Sequence, residues 1–271
     1  MREVFGQWQA QTLLERAVLA DAVRHAYLLT GPEGVGKTTL AWAFARLLEC
    51  ERRAPTDREA CGICRACRKL AHAGHPDVVL VEPLAGKRTF DVDSVRDVLH
   101  TANLAPSEGH WRVFILPAIE RMLPAAANAL LKTLEEPPPF VVLLLTTTEP
   151  DALLPTILSR CQLVALAPLA PLVIADALQT RWQVAEDEAR AVAALANGRL
   201  GWAVRAVADP ALRAQRAEQL DQLAALVSAP RDARLRQAGT LGAESASARE
   251  TLDLWVLWWR DVVVAAAGAV T

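Results

Sequence analysis

Four cysteines, Cys50, Cys61, Cys64 and Cys67, follow the spacing C-x10-C-x2-C-x2-C. Two successive C-x-x-C steps let three thiolates converge from one turn, and Cys50 closes a tetrahedron from the end of the preceding segment. Four thiolates with no open position describe a structural Zn²⁺ site. A redox dithiol would need two cysteines, not a cluster of four. A small insert without its own core depends on such a metal to fold. A zinc knuckle that binds nucleic acid is the other metal reading, but Arg65, Arg68 and Lys69 are few basic residues to support it. Cys161 lies far off in sequence and stands apart.

A second stretch, GPEGVGKTTL from Gly31 to Leu40, fits G-x-x-x-x-G-K-[ST] without a mismatch. Gly31, Gly34 and Gly36 let backbone N–H groups turn toward phosphate oxygens. Lys37 reaches the β- and γ-phosphates, and Thr38, followed by Thr39, offers a hydroxyl to Mg²⁺. A glycine turn that binds nothing is the plainer reading. The setting argues against it, because an apolar run, AYLLT, precedes the loop and a helix-spaced segment opens at Lys37. ATP or ADP is therefore the expected ligand, with Mg²⁺ left open.

Hydrolysis needs more than this loop. A P-loop NTPase holds its metal with an acidic residue at the end of a neighbouring strand and also orients the attacking water. In VFILPAIERM, Val113 to Met122, the strand-end positions are Pro117 and Ala118. Glu120 comes two to three residues later and reads as already turning into the next loop. Losing both functions costs on the order of several kcal/mol of transition-state stabilisation. The expectation is binding without chemistry.

The elements that must position these groups follow from hydrophobic patterning. Residues 26–30, 77–83, 112–117 and 140–148 read as buried strands; 37–49, 92–105 and 124–139 read as helices. Asp91 or Asp93 is placed to cap the second of these helices, and a proline at the first turn with a proline stop bounds the third. Strands alternating with helices imply a parallel sheet covered on both faces. After Pro168 only helices are expected, near 171–182, 186–196, 199–207, 210–228, 230–242 and 246–267. The junctions LAPLAP and ADP suggest three domains: 1–168 with the zinc module at 50–67, 169–208, and 209–271.

The chain has 271 residues, 52% of them hydrophobic and 22% charged, which suits a globular protein and excludes a disordered one. A net charge of −2 supplies no global attraction to nucleic acid, so any such contact is local or shared with partners. The start, MREVFGQWQA, has no signal-peptide core, and LWVLWWRDVVVAAAGAV is interrupted by Arg260 and Asp261. That segment reads as a buried helix, with no membrane span and a cytoplasmic location expected.

The combination of HAYLLTGPEGVGKTT, the four cysteines, HPDV, NALLKTLEEPP and TILSRC resembles the AAA+ subunits of the bacterial DNA polymerase III clamp loader, densely over residues 3–170. The resemblance implies an α/β AAA+ P-loop domain with a zinc-binding insert, then a small helical lid and an all-α collar. Within that family the motor type, gamma/tau, carries an Asp-Glu pair at the strand end and an Arg in a GSLR-like lid helix. Pro117-Ala118 stand at the first position, and Gly201 at the second, with Arg199 and Arg205 nearby. Both departures are similar to the delta-prime type, the stator that does not hydrolyse ATP. The resemblance further implies a sensor position at Thr147 or Thr148, and an arginine finger, Arg160, presented to a neighbouring subunit. Its partners would be gamma/tau and delta subunits, the sliding clamp more weakly, and primer–template DNA within the complex. It would act in replication as part of the polymerase III holoenzyme, at the replisome.

Blander readings stand beside these. LLKTLEEPPP is at least an amphipathic helix with a hard stop, and His25, His72 and His75 suit caps or turns. Trp255, Trp258 and Trp259 suit helix packing or a subunit interface. An active gamma/tau-like motor is the main competitor. A nucleotide kinase would need a substrate pocket that the sequence does not offer.

Overall fold

A computed structural model of the chain describes every residue except Arg2, 84–88, Asp91, Glu244 and 269–271. Five strands form one parallel sheet: β1 (Ala26–Thr30), β2 (Val78–Leu80), β3 (Arg112–Leu116), β4 (Val141–Thr147) and β5 (Gln162–Ala165). Their spatial order is β2-β3-β4-β1-β5, so β1 lies inside the sheet. β1, β3 and β4 are buried at every position, as apolar runs covered on both faces must be.

The strand pleat divides these runs between two cores. Tyr27, Leu29, Val113, Ile115, Val142 and Leu144 face one side. There they meet α1 (Trp8–Leu19), α2 (Lys37–Leu48) and α3 (Arg65–Ala71) through Leu14, Phe44 and Leu70. Leu28, Phe114, Leu116, Leu143 and Leu145 face the other. There they meet α4 (Val92–Ala102), α5 (Pro124–Glu135) and α6 (Pro155–Leu158) through Val95, Leu130 and Ile157. Each such side chain contributes about 1.5–3 kcal/mol on burial. Asp93 falls in the first turn of α4, while Asp91 lies outside the described residues.

The elements unforeseen from the sequence include α1 and β5, besides the short helices α3 and α6. α1 opens at Gln7 with no side-chain cap and mixes alanine with polar residues, so its apolar signal is thin. β5 is four residues long and only Val164 is fully buried, because it is an edge strand paired with β1 alone.

Beyond β5 the described chain is helical. α7 (Pro171–Trp182), α8 (Glu186–Leu195) and α9 (Leu200–Ala208) share a core around Ile174, Leu178 and Trp202. α10 (Pro210–Ser228), α11 (Arg231–Ala243) and α12 (Ser245–Ala266) follow. Asp209 caps α10 by accepting the Ala211 N–H at 3.0 Å. The Arg216 guanidinium of α10 lies 4.5 Å from the centre of the Trp202 ring, a cation–π contact that ties the two helical groups together. Among the described residues no helix is long and apolar enough to cross a membrane.

Candidate nucleotide and metal site

Three segments meet at the carboxyl edge of the sheet, where parallel α/β sheets place their ligands. Thr30 is in register with Thr147, and Leu116 with Leu145. The loop after β1, the turn after β3 and the end of β4 are therefore neighbours.

In the loop, Gly31, Gly34 and Gly36 take φ of 143°, 77° and 106°, values that favour glycine. An added Cβ at Gly36 would meet nothing within 4 Å, so the phosphate side of the loop is open. Lys37 opens α2 and is buried, its Nζ donating to the carbonyls of Gly31 at 2.7 Å and Pro32 at 2.8 Å. Burial pulls its ammonium down to about 8, against the opposing pull of Glu120 and Glu33. A cavity of about 310 Å³ lies over the loop. Gly34, Gly36, Lys37, Thr38 and Thr39 line it on one side, Pro117, Ala118 and Glu120 on the second, and Thr146 and Thr148 on the third. Gly31 shapes the loop from behind and does not line the cavity.

Glu120 does turn into the next loop, as the sequence suggests, yet it also lines the cavity, which the sequence does not reveal. Pro117 ends the ladder of β3, and Ala118 then takes the left-handed conformation, φ 52° and ψ 53°. A non-glycine residue there costs about 1–2 kcal/mol. The Ala118 N–H, donating to Thr146 Oγ1 at 3.1 Å, helps hold the turn. The short 3₁₀ turn Ile119–Arg121 follows, anchored by buried Ile119, and it brings Glu120 back to the cavity. Glu120 Oε1 accepts from the Thr148 hydroxyl at 2.8 Å and from its N–H at 3.3 Å, while Oε2 is sealed from solvent with no hydrogen-bond partner. Burial pushes the Glu120 carboxyl up. Hydrogen bonds from its own turn and from Thr148 and Thr147 outweigh that, so the group lies below its ordinary value. Thr148 is thus at the cavity, whereas Thr147 is fully buried and its hydroxyl accepts from Glu149 N–H at 3.0 Å.

The helical segment touches the loop directly. The Gly201 N–H, in the first turn of α9, donates to the Gly34 carbonyl at 2.7 Å. A Cβ at Gly201 would stand 3.0 Å from that oxygen, so glycine permits the approach.

Arg160 does not line the cavity. Its Nη2 pairs with Glu135 at the end of α5 at 2.8 Å, and its Nη1 donates to the Thr156 carbonyl at 3.0 Å. Nearby Cys161 is largely enclosed, and burial pushes its thiol up to about 12.

The sulfurs of Cys50, Cys61, Cys64 and Cys67 all lie within 4.8 Å of one another. Cys50 follows α2, and Cys64 caps α3. The N–H groups of Cys61, Cys64 and Cys67 donate to the sulfurs of Cys50, Cys61 and Cys64 at 3.2, 3.3 and 3.4 Å, contacts that favour thiolate. Amides of Ile63 and Cys64 hold Cys61 down to about 6, while burial pushes Cys50 and Cys67 up. A tetrahedral ion with metal–sulfur bonds of about 2.3 Å fits sulfurs so spaced. Neither His72 nor His75 joins the set. His75 Nδ1 instead accepts the Asp77 N–H at 3.2 Å, and the Asp77 carboxylate accepts the N–H groups of Ser107, Glu108 and Gly109 at 2.7–2.9 Å. The HPD triplet is a structural knot, not a ligand set.

A larger groove, about 580 Å³, runs between α10, α11 and α12 beside Leu223, Leu252, Trp255 and Trp259. It is walled mainly by apolar side chains and offers no phosphate- or metal-binding constellation.

A phosphate loop at the carboxyl edge of a five-stranded parallel sheet, with helices packed over it, defines an AAA+ P-loop protein. A Thermotoga maritima DNA polymerase III gamma subunit-related protein has this fold: TM-score 0.52, 22% identity, 73% of this chain and 57% of that one covered. That likeness shows the fold alone. The chain belongs to the family described as "DNA polymerase III, delta subunit", whose model matches residues 6–170. It is 47% identical over 137 residues to DNA polymerase III subunit delta' of Pseudomonas aeruginosa, covering 51% of this chain and 41% of that protein. It is 38% identical over 160 residues to subunit tau of Bacillus subtilis, covering 59% and 28%. The chain thus spans under half the length of these curated relatives.

Proposed function

We propose that the chain is a delta-prime-type stator of the DNA polymerase III clamp loader, which binds ATP or ADP without hydrolysing it and helps load the sliding clamp onto primed DNA. The observation that carries this reading is the end of β3: the phosphate loop is complete, yet Pro117 and Ala118 stand where carboxylates would hold the metal and orient the water. Gly201 adds support, since backbone meets Gly34 where a motor would aim an arginine. A bound nucleotide would bring a phosphate chain to Lys37, Thr38 and the open face of Gly36. Arg160, outside its own cavity, suits a finger acting on a neighbour's nucleotide, because a planar guanidinium pairs two phosphate oxygens at once.

The remaining assignments follow from this reading. Residues 1–168 form the nucleotide domain, 169–208 a lid and 209–271 a collar whose apolar groove suits assembly. Gamma/tau and delta subunits are the partners, primer–template DNA is met within the complex, and the location is cytoplasmic, at the replisome. The cysteines hold Zn²⁺ as a structural ion.

The second reading, a gamma/tau-like motor, draws on the intact loop and the identity to tau. Equilibrium binding and steady-state turnover of ATP separate the two. The stator reading expects measurable binding that Lys37→Ala removes, with no turnover above background. Hydrolysis that disappears with Lys37→Ala would instead establish the motor.

A further inference from the structure

Glu120 lines the nucleotide cavity with an ionised carboxylate. Thr148 holds Oε1 in place, and Oε2 is sealed from solvent without a hydrogen-bond partner. The left-handed turn at Ala118 aims it there, in place of the strand-end carboxylate that Pro117 and Ala118 cannot supply. Its charge acts on the Lys37 ammonium, as does that of Glu33. A carboxylate in this position repels bare phosphates, and the repulsion becomes attraction once a divalent cation stands between them. Carboxylate and hydroxyl oxygens are the hard ligands that Mg²⁺ takes, together with phosphate oxygens and water.

We propose that Glu120 is the acidic group that engages the Mg²⁺ of a bound nucleotide, directly or through water, so that the site selects the metal–nucleotide complex over the free nucleotide. The proposal rests on the reading that the phosphate loop binds nucleotide, and it deepens it: Glu120 serves grip, and its tie to Thr148 keeps it from orienting an attacking water. The site would be Mg²⁺-dependent in binding while remaining inert in hydrolysis.

The test is the affinity of the full chain for ATP and for ADP, measured in Mg²⁺ and in EDTA, for the unaltered protein and for Glu120→Gln. Glutamine keeps the shape and can still accept from Thr148. Removing an acidic group from a metal's inner or outer shell weakens binding by about 10–100-fold, so the variant's affinity in Mg²⁺ should fall by about tenfold or more. In EDTA the variant should bind as tightly as the unaltered chain or more tightly, because a repulsive charge is gone. A structural role for Glu120 predicts equal weakening in both conditions, and that result, or no change in Mg²⁺, overturns the proposal while leaving nucleotide binding intact. Thr148→Val, which releases Oε1, should lower the Mg²⁺-dependent gain in part, and an undiminished gain in both variants likewise overturns it. If the unaltered chain binds no nucleotide in either condition, the nucleotide reading itself fails and the proposal with it.

Discussion

Lys37 shows how a single residue's surroundings set its behaviour. Enclosed and donating to two loop carbonyls, it has an ammonium near 8 and not in the usual lysine range. On the proposed reading the phosphate chain of a nucleotide binds the protonated form. Nucleotide affinity should therefore be highest below about pH 8 and fall as pH rises through that value, by at most tenfold per unit. Titrating affinity from pH 7 to 9.5 checks this, and a flat profile would mean that Lys37 stays charged or is not used. Glu120 is the counter-case, an acid whose burial alone would raise it but whose threonine and backbone donors keep it ionised. Asp77 follows the same rule in the fold: three backbone amides hold its carboxylate below the ordinary value despite burial.

At the scale of elements, the cysteine insert brings four sulfurs within 4.8 Å of one another and has little core of its own. Its own core is little more than Ala66, Cys64, Cys67 and Cys50. Against the backbone entropy of ordering such a segment, about 1–2 kcal/mol per residue, that burial is small. On the proposed reading a bound ion supplies the difference, so the purified protein should carry close to one zinc per chain by elemental analysis. Cys64→Ser or chelation should release the ion and expose the insert to protease, while the sheet, which has two cores of its own, stays folded. A metal-free chain with a fully protected insert would contradict this. α9 shows the opposite economy: one glycine in its first turn lets a helix meet a loop through a single backbone hydrogen bond.

Across the whole molecule, contacts run from the phosphate loop through α9 to α10. Gly34 meets Gly201, Trp202 is the next residue, and Arg216 of α10 lies on its ring. Loop and α10 are therefore linked through α9 by a hydrogen bond and a cation–π contact, with the ion pairs Arg205–Glu33 and Arg213–Glu188 beside them. Arg160 belongs to this scale because its proposed target lies in another subunit. In the single chain it pairs with Glu135, a partly exposed contact worth about 1 kcal/mol or less. Arg160→Ala should leave the fold and assembly intact. It should lower ATP hydrolysis of the assembled clamp loader at one neighbouring site, since trans arginines in well-studied GTPases are worth about 10³–10⁵ in rate. Unchanged hydrolysis and clamp loading by that complex would sink the finger and leave Arg160 as a surface ion pair.

The sequence by itself determined what depends on local chemistry. Apolar runs long enough to be covered on both faces marked β1, β3 and β4, and the loop motif marked itself because its glycines, lysine and threonine act within eight residues of one another. The cysteine spacing marked the metal set for the same reason. Tertiary structure decided what depends on neighbours distant in the chain. β5 is a strand because the edge of β1 offers it a ladder, not because QLVA announces one. Thr148 rather than Thr147 faces the cavity because the pleat alternates. Glu120 reaches the site because Ala118 adopts a left-handed turn that alanine does not advertise, held by a threonine 28 residues away. Pairwise distances of this kind are set by packing, and no window of sequence contains both partners.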